Sequence, residues 1–195
     1  MNLIQKVNSL ITSPKNLAES AIGPAFGGAA LISIPLIAMQ FSAEVNWDIL
    51  DFAIAWSLIF AVGFTFQIVS NKVKNSAYKI ATGLAAFASL AILWVNGAVG
   101  IIGNESNPLN LMFAGVLLMV ILGSFIAKLE AQAMSRVMIS TAVTQVSISF
   151  AAFSIYIVDN PGAPFSGVLN ITLLFTVIWL LSALFYRRAG IFAEN

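Results

Sequence analysis

Cysteine and histidine are both absent from this 195-residue sequence, and charged residues make up only 9% of it. Without a thiol there is no disulfide, no iron–sulfur cluster and no thiolate zinc site. Without an imidazole there is no His-ligated haem and no triad that uses histidine as its base. Lipid attachment through cysteine is excluded as well. The shortage of charge says more, because soluble domains carry about 25% charged residues. With 59% hydrophobic residues and a mean hydropathy of +0.95, a water-soluble globule is close to excluded. A net charge of +1 gives nucleic acid nothing to bind.

The few charges divide the chain. Between them lie uncharged stretches at 20–43, 52–71, 80–104, 106–127, 137–158 and 160–186. A helix of about 20 apolar residues crosses about 30 Å of hydrocarbon, and backbone without water must pair within itself. The expected fold is therefore all-α, an integral membrane bundle of six transmembrane helices. The spans are expected at about 22–41, 52–71, 80–103, 108–127, 137–158 and 167–186, within one domain over 20–188. Pro24 suits a first helical turn, and Pro35 kinks the first span. In the preceding segment, 1–19, the apolar residues Leu3, Ile4, Val7, Leu10 and Ile11 recur at helical spacing. That pattern reads as a short helix on the membrane surface. Ser13-Pro14 then reads as an N-cap and first-turn proline. Residues 189–195 form a short tail.

Six crossings sort the bases without exception. Lys6, Lys15, Lys72, Lys74, Lys79, Lys128, Arg136, Arg187 and Arg188 fall on one side. The other side receives no base and five acids: Glu44, Asp48, Asp51, Glu105 and Asp159. The positive-inside rule then puts both termini in the cytoplasm. Trp47, Trp56 and Trp94 are expected toward the outer interface and Tyr78 and Tyr186 at the inner one, whereas Trp179 falls deeper and suits packing.

No Asp, Glu, Lys or Arg lies inside any span. That counts against proton relays and voltage sensors, and it removes the Ser–Lys and aspartyl pairs of intramembrane proteases. No catalytic set, cofactor or metal site is expected. Three polar features remain. In residues 94–110, Gly97, Gly100 and Gly103 recur every third residue, as on a helix face that another backbone approaches closely. Asn107-Pro108 reads as the cap and first-turn proline of the next span. Around them Asn96, Asn104, Glu105, Asn107 and Asn110 outline an outer vestibule able to hold a small cation or a polar headgroup. Second, Glu44, Asp48 and Asp51 share one face if helical and, with Glu105 and Asp159, make an acidic outer rim. Third, Ser140, Thr144 and Ser147 form a wedge in the fifth span, flanked by Thr141, Gln145 and Ser149. Such a wedge serves interhelical hydrogen bonds or a permeation path.

Residues 94–113, WVNGAVGIIGNESNPLNLMF, resemble the signature of an uncharacterised family of small multi-pass bacterial inner-membrane proteins. Members read W-(I/V)-N-x-A-V-G-I-I-G-S-E-D-N-P-x-N-L-M, and here Asn104 and Ser106 stand where Ser and Asp are commoner. Met39-Gln40-Phe41, Glu44-Val45-Asn46-Trp47, Asp51-Phe52, Trp179-Leu180 and Arg187-Arg188-Ala189 extend the likeness over roughly 36–190. The resemblance implies residence in a bacterial inner membrane and carries no catalytic role. The expectation is a non-enzymatic, accessory or envelope-associated membrane protein. The alternative is a small channel or carrier for a polar solute or cation. The bilayer is the certain partner on this reading, and a second copy or another membrane protein is a candidate one.

Overall fold

A computed structural model describes residues 14–41 and 47–191, and every regular element among them is helical. In chain order these are α1 (Pro14–Ala38), α2 (Ile49–Lys72), α3 (Ser76–Ala98), a 3-10 helix (Pro108–Phe113) running into α4 (Ala114–Ile126), α5 (Ala131–Asp159) and α6 (Ser166–Ile191). Counting the 3-10 turn with α4, six helices among the described residues are long and apolar enough to cross a membrane. Large apolar side chains point outward along them, including Phe26, Phe87, Phe125, Ile126, Val143 and Leu184. On a protein in water such surfaces are an aggregation hazard, and against lipid tails they are the matching solvent contact. The chain is an integral membrane protein.

It divides into two compact units, Met1–Lys74 and Asn75–Asn195. In the first, α1 packs along α2. Helix α1 opens at Pro14, so residues 14–19 continue into the first span as one helix. Pro24 and Pro35 both lie inside that helix, and Pro24 is not in its first turn. Most of the surface helix expected over 1–19, and Glu44, lie outside the described residues. The indole of Trp56 lies over Gly28 and donates to the Ala25 carbonyl at 3.4 Å. Its ring also stacks on Phe60, and Phe60 on Phe64, at centroid distances of 5.1 and 5.5 Å.

In the second unit α6 packs on both α3 and α5, and α4 packs on α5. The seams are built from small residues, which let backbones approach. Ala81, Ala85 and Ala88 line the buried face of α3. The Ser182 hydroxyl donates across to the Ala81 carbonyl, and the Ser135 hydroxyl to the Ala183 carbonyl, both at 2.8 Å. Trp179 is fully enclosed. Tyr78, in the first turn of α3, and Tyr186, near the end of α6, are buried edge to face with ring centroids 4.9 Å apart. Each hydroxyl finds a partner inside. Tyr186 pairs with Thr82 at 3.0 Å, and Tyr78 donates to the Leu129 carbonyl at 2.7 Å. That last bond holds the α4–α5 turn, where Lys128 and Leu129 both take left-handed backbone angles. Such angles cost a non-glycine residue roughly 1–2 kcal/mol each.

The third span ends earlier than its apolar stretch. Helix α3 stops at Ala98, and the backbone N–H groups of Val99 and Gly100 both close on the Val95 carbonyl. Gly100 and Gly103 then take φ of +77° and +71°. They are turn residues and not parts of a helix face, so the three-residue glycine spacing reflects a folded loop.

Candidate functional site

The loop between α3 and the 3-10 helix is organised by one side chain. Asn110 is buried, and its amide makes four hydrogen bonds to loop backbone. Its Oδ1 accepts from the N–H groups of Ile101 and Ile102, each at 2.9 Å. Its Nδ2 donates to the carbonyls of Ile102 at 3.3 Å and Asn104 at 2.7 Å. Every donor and acceptor of the side chain is therefore used inside the protein. Asn107 caps the 3-10 helix through the Leu109 N–H at 3.0 Å, with Pro108 in the first position. Asn104 turns its own Oδ1 to the Ser106 N–H at 3.1 Å.

This loop meets the end of α5 in a cleft of about 520 Å³. Asn104, Asn107 and Asp159 line it together, beside Gly103, Ser106, Tyr156 and Asn160. A Cβ on Gly103 would lie 3.1–3.2 Å from Tyr156 and Asn107, so glycine sets how closely the phenol ring approaches the loop. Asn110 stands behind the cleft as its support. Glu105 is exposed on the same loop and does not line the cleft. Asn96 lies back on α3, where its Nδ2 donates to the Ile92 carbonyl at 2.9 Å and its buried Oδ1 has no partner among the described residues.

Tyr156 and Asn160 were not anticipated. The signal was present, because Tyr156 precedes Asp159 by three residues and so shares its helix face.

Asp48 and Asp51 belong to the first unit, where Asp48 is the N-cap of α2 and not part of a helical acidic face. Its Oδ1 accepts from the N–H groups of Leu50 and Asp51 at 2.7 and 3.0 Å. Asp51 returns its Oδ2 to the Asp48 N–H at 2.9 Å. Both carboxylates are engaged in a reciprocal cap that stabilises the positive end of a helix.

The polar residues of the fifth span divide between two faces. Thr141, Gln145 and Ser149 are fully buried, in line with Met138, Ala142 and Ala152. Ser140 and Ser147 are exposed on the adjacent stripe, and Thr144 is half-buried with its hydroxyl donating to the Ser140 carbonyl at 2.9 Å. The intended centre of the wedge thus faces out and its flank faces in. Thr141 satisfies itself on the Val137 carbonyl at 2.9 Å. Gln145 does not: at 0% exposure, neither atom of its amide has a partner among the described residues. The same holds for the Ser149 and Thr176 hydroxyls and the Trp179 indole nitrogen.

An unpaired buried polar group costs roughly 1–3 kcal/mol, and removing it for an apolar group of similar shape recovers that cost. Gln145→Leu is accordingly expected to raise the stability of the detergent-solubilised chain by about 1–3 kcal/mol. Thermal unfolding followed by circular dichroism reads the change, and a lowered midpoint would mean that the amide is paired in the folded protein.

The ionisable groups at this site are one carboxylate, Asp159, and one phenol, Tyr156. Among the described residues no group of three or more acids is placed to hold a metal ion. The arrangement recognises by charge, hydrogen bonds and an aromatic face. No family model matches this chain, and no curated protein and no solved structure is significantly similar to it.

Proposed function

We propose that the chain is a non-enzymatic protein of a bacterial inner membrane, an accessory or envelope-associated component with both termini in the cytoplasm. The separation of charge at the helix ends carries this reading. Lys72, Lys74, Lys79, Lys128, Arg187 and Arg188 cluster near the helix ends of one parity, and Asp48, Asp51, Glu105 and Asp159 near the others. Membrane insertion keeps basic ends on the cytoplasmic side, which leaves the Asn110-braced loop and its cleft facing outward. A preformed cleft on an outer surface suits recognition. The likeness of residues 94–113 to a family of small bacterial membrane proteins agrees with this assignment.

The second reading is a small channel or carrier, favoured by the unpaired polar atoms around Gln145. The two part on water access. Because the chain has no cysteine, single cysteines report without background. At position 105 or 159 a membrane-impermeant thiol reagent is expected to react from outside intact cells, and at 128 only after lysis. At 140, 141, 144, 145 and 147 we expect protection throughout, by lipid or by packing. Fast hydrophilic labelling at 141 and 145 would establish the carrier reading, and labelling of 128 from outside would invert the topology.

A further inference from the structure

We infer that the cleft between the 99–107 loop and the end of α5 binds a primary ammonium group of the kind carried by an ethanolamine headgroup. The inference goes beyond the accessory role and holds for either orientation of the chain in the bilayer. Electrostatics set the sign of the ligand. Among the described residues Asp159 is the only formally charged side chain lining the cleft, and Glu105 is exposed on the adjoining loop. Asp159 is also the last residue of α5, where the helix dipole adds about half a negative charge. A carboxylate there works against its own helix, so local stability does not account for it. A cation docked beside it removes the conflict.

Hydrogen bonding sets the kind of cation. Among the described residues the Asp159 carboxylate, the Asn160 side-chain carbonyl and the Ser106 hydroxyl engage no protein acceptor or donor. An R–NH3+ group presents three donors to such a set, whereas a quaternary ammonium presents none. The Tyr156 ring in the cleft wall adds an aromatic surface that attracts cations. A divalent metal fits less well, because hard cations require several carboxylates or a full shell of oxygens.

Depth sets the source. Helix α5 has 29 residues, a length of about 43 Å against a hydrocarbon core of about 30 Å. Its end therefore stands at headgroup level, where phosphatidylethanolamine is a ready donor of this group. A free amine in the adjoining water offers the same chemistry.

Native mass spectrometry of the full chain in detergent tests the site with phosphatidylethanolamine, phosphatidylcholine and phosphatidylglycerol at equal concentration. Retention of phosphatidylethanolamine should exceed that of the other two by about tenfold, as one charge-assisted hydrogen bond provides. Asp159→Asn should abolish the preference without lowering the unfolding midpoint, since the side chain is exposed. Glu105→Gln should leave it intact. If free ethanolamine displaces the lipid and binds by itself, the source is a soluble amine, and if millimolar ethanolamine leaves the lipid in place, the source is the bilayer. Equal retention of the three lipids with no ethanolamine binding overturns the inference. So does a preference that survives Asp159→Asn, or one that Glu105→Gln removes equally, because attraction would then be diffuse.

Discussion

Leucine in place of Asn110 is expected to destabilise the folded chain by on the order of 3 kcal/mol. The size follows from the count of groups abandoned. Two N–H groups and the Ile102 carbonyl lose their partner together, while the Asn104 carbonyl keeps the Asn107 N–H. Ile101 and Ile102 are buried, so water does not reach their amides to replace it. Each orphaned group costs about 1 kcal/mol or more. Thermal unfolding of the detergent-solubilised protein measures the loss, and proteolysis within 99–107 should accelerate in step. A midpoint within a degree of wild type would show that the loop is held by something other than this amide.

A glycine series is expected to separate strain from collision in the same region. A Cβ on Gly100 would sit 2.3 Å from the Asn104 carbonyl carbon and oxygen, which are backbone and do not swing aside. The position also has φ of +77°. Gly100→Ala should therefore cost at least about 3 kcal/mol, beyond the 1–2 kcal/mol of left-handed strain alone. Gly162 has φ of +95° with open space around it, so alanine there should show the strain by itself, about 1–2 kcal/mol. Gly97 lies in α3 with open space, and alanine there should stabilise the helix by about 0.5–1 kcal/mol. The same unfolding measurement ranks all three, and a Gly100→Ala loss no larger than that of Gly162→Ala would refute the clash.

The number and place of the helices were legible because charge is so rare in this sequence. Each long gap between ionised residues has one physical use, and six helices fill them. The Asn107-Pro108 cap was equally readable, since its chemistry is local. The faces were not. In α5, Ser140–Thr144–Ser147 and Thr141–Gln145–Ser149 are adjacent stripes with almost the same spacing, and packing against α4 and α6 decides which turns inward. The glycines at 97, 100 and 103 imitate a helical period, while the positive angles that give two of them their purpose are invisible in one dimension. Asp48 and Asp51 look like a surface charge until the start of α2 is known, and then they become its cap. Of the site itself, Asn104, Asn107 and Asp159 were named from sequence. Their meeting in one cleft with Tyr156 depends on the course of the loop.

The alanine and glycine seams of the second unit carry a calorimetric consequence. Ala81, Ala85, Ala88 and Gly123 are hidden between the helices, while Phe87, Phe125, Ile126, Val143 and Leu184 face outward. Pulling such helices apart within a bilayer trades contacts between chains for contacts with acyl tails and brings little hydrocarbon to water. A soluble domain absorbs about 12–15 cal/mol/K per residue more heat when unfolded, because its interior becomes hydrated. Separation of these helices in lipid should show almost none of that increment, and its free energy should run nearly straight with temperature.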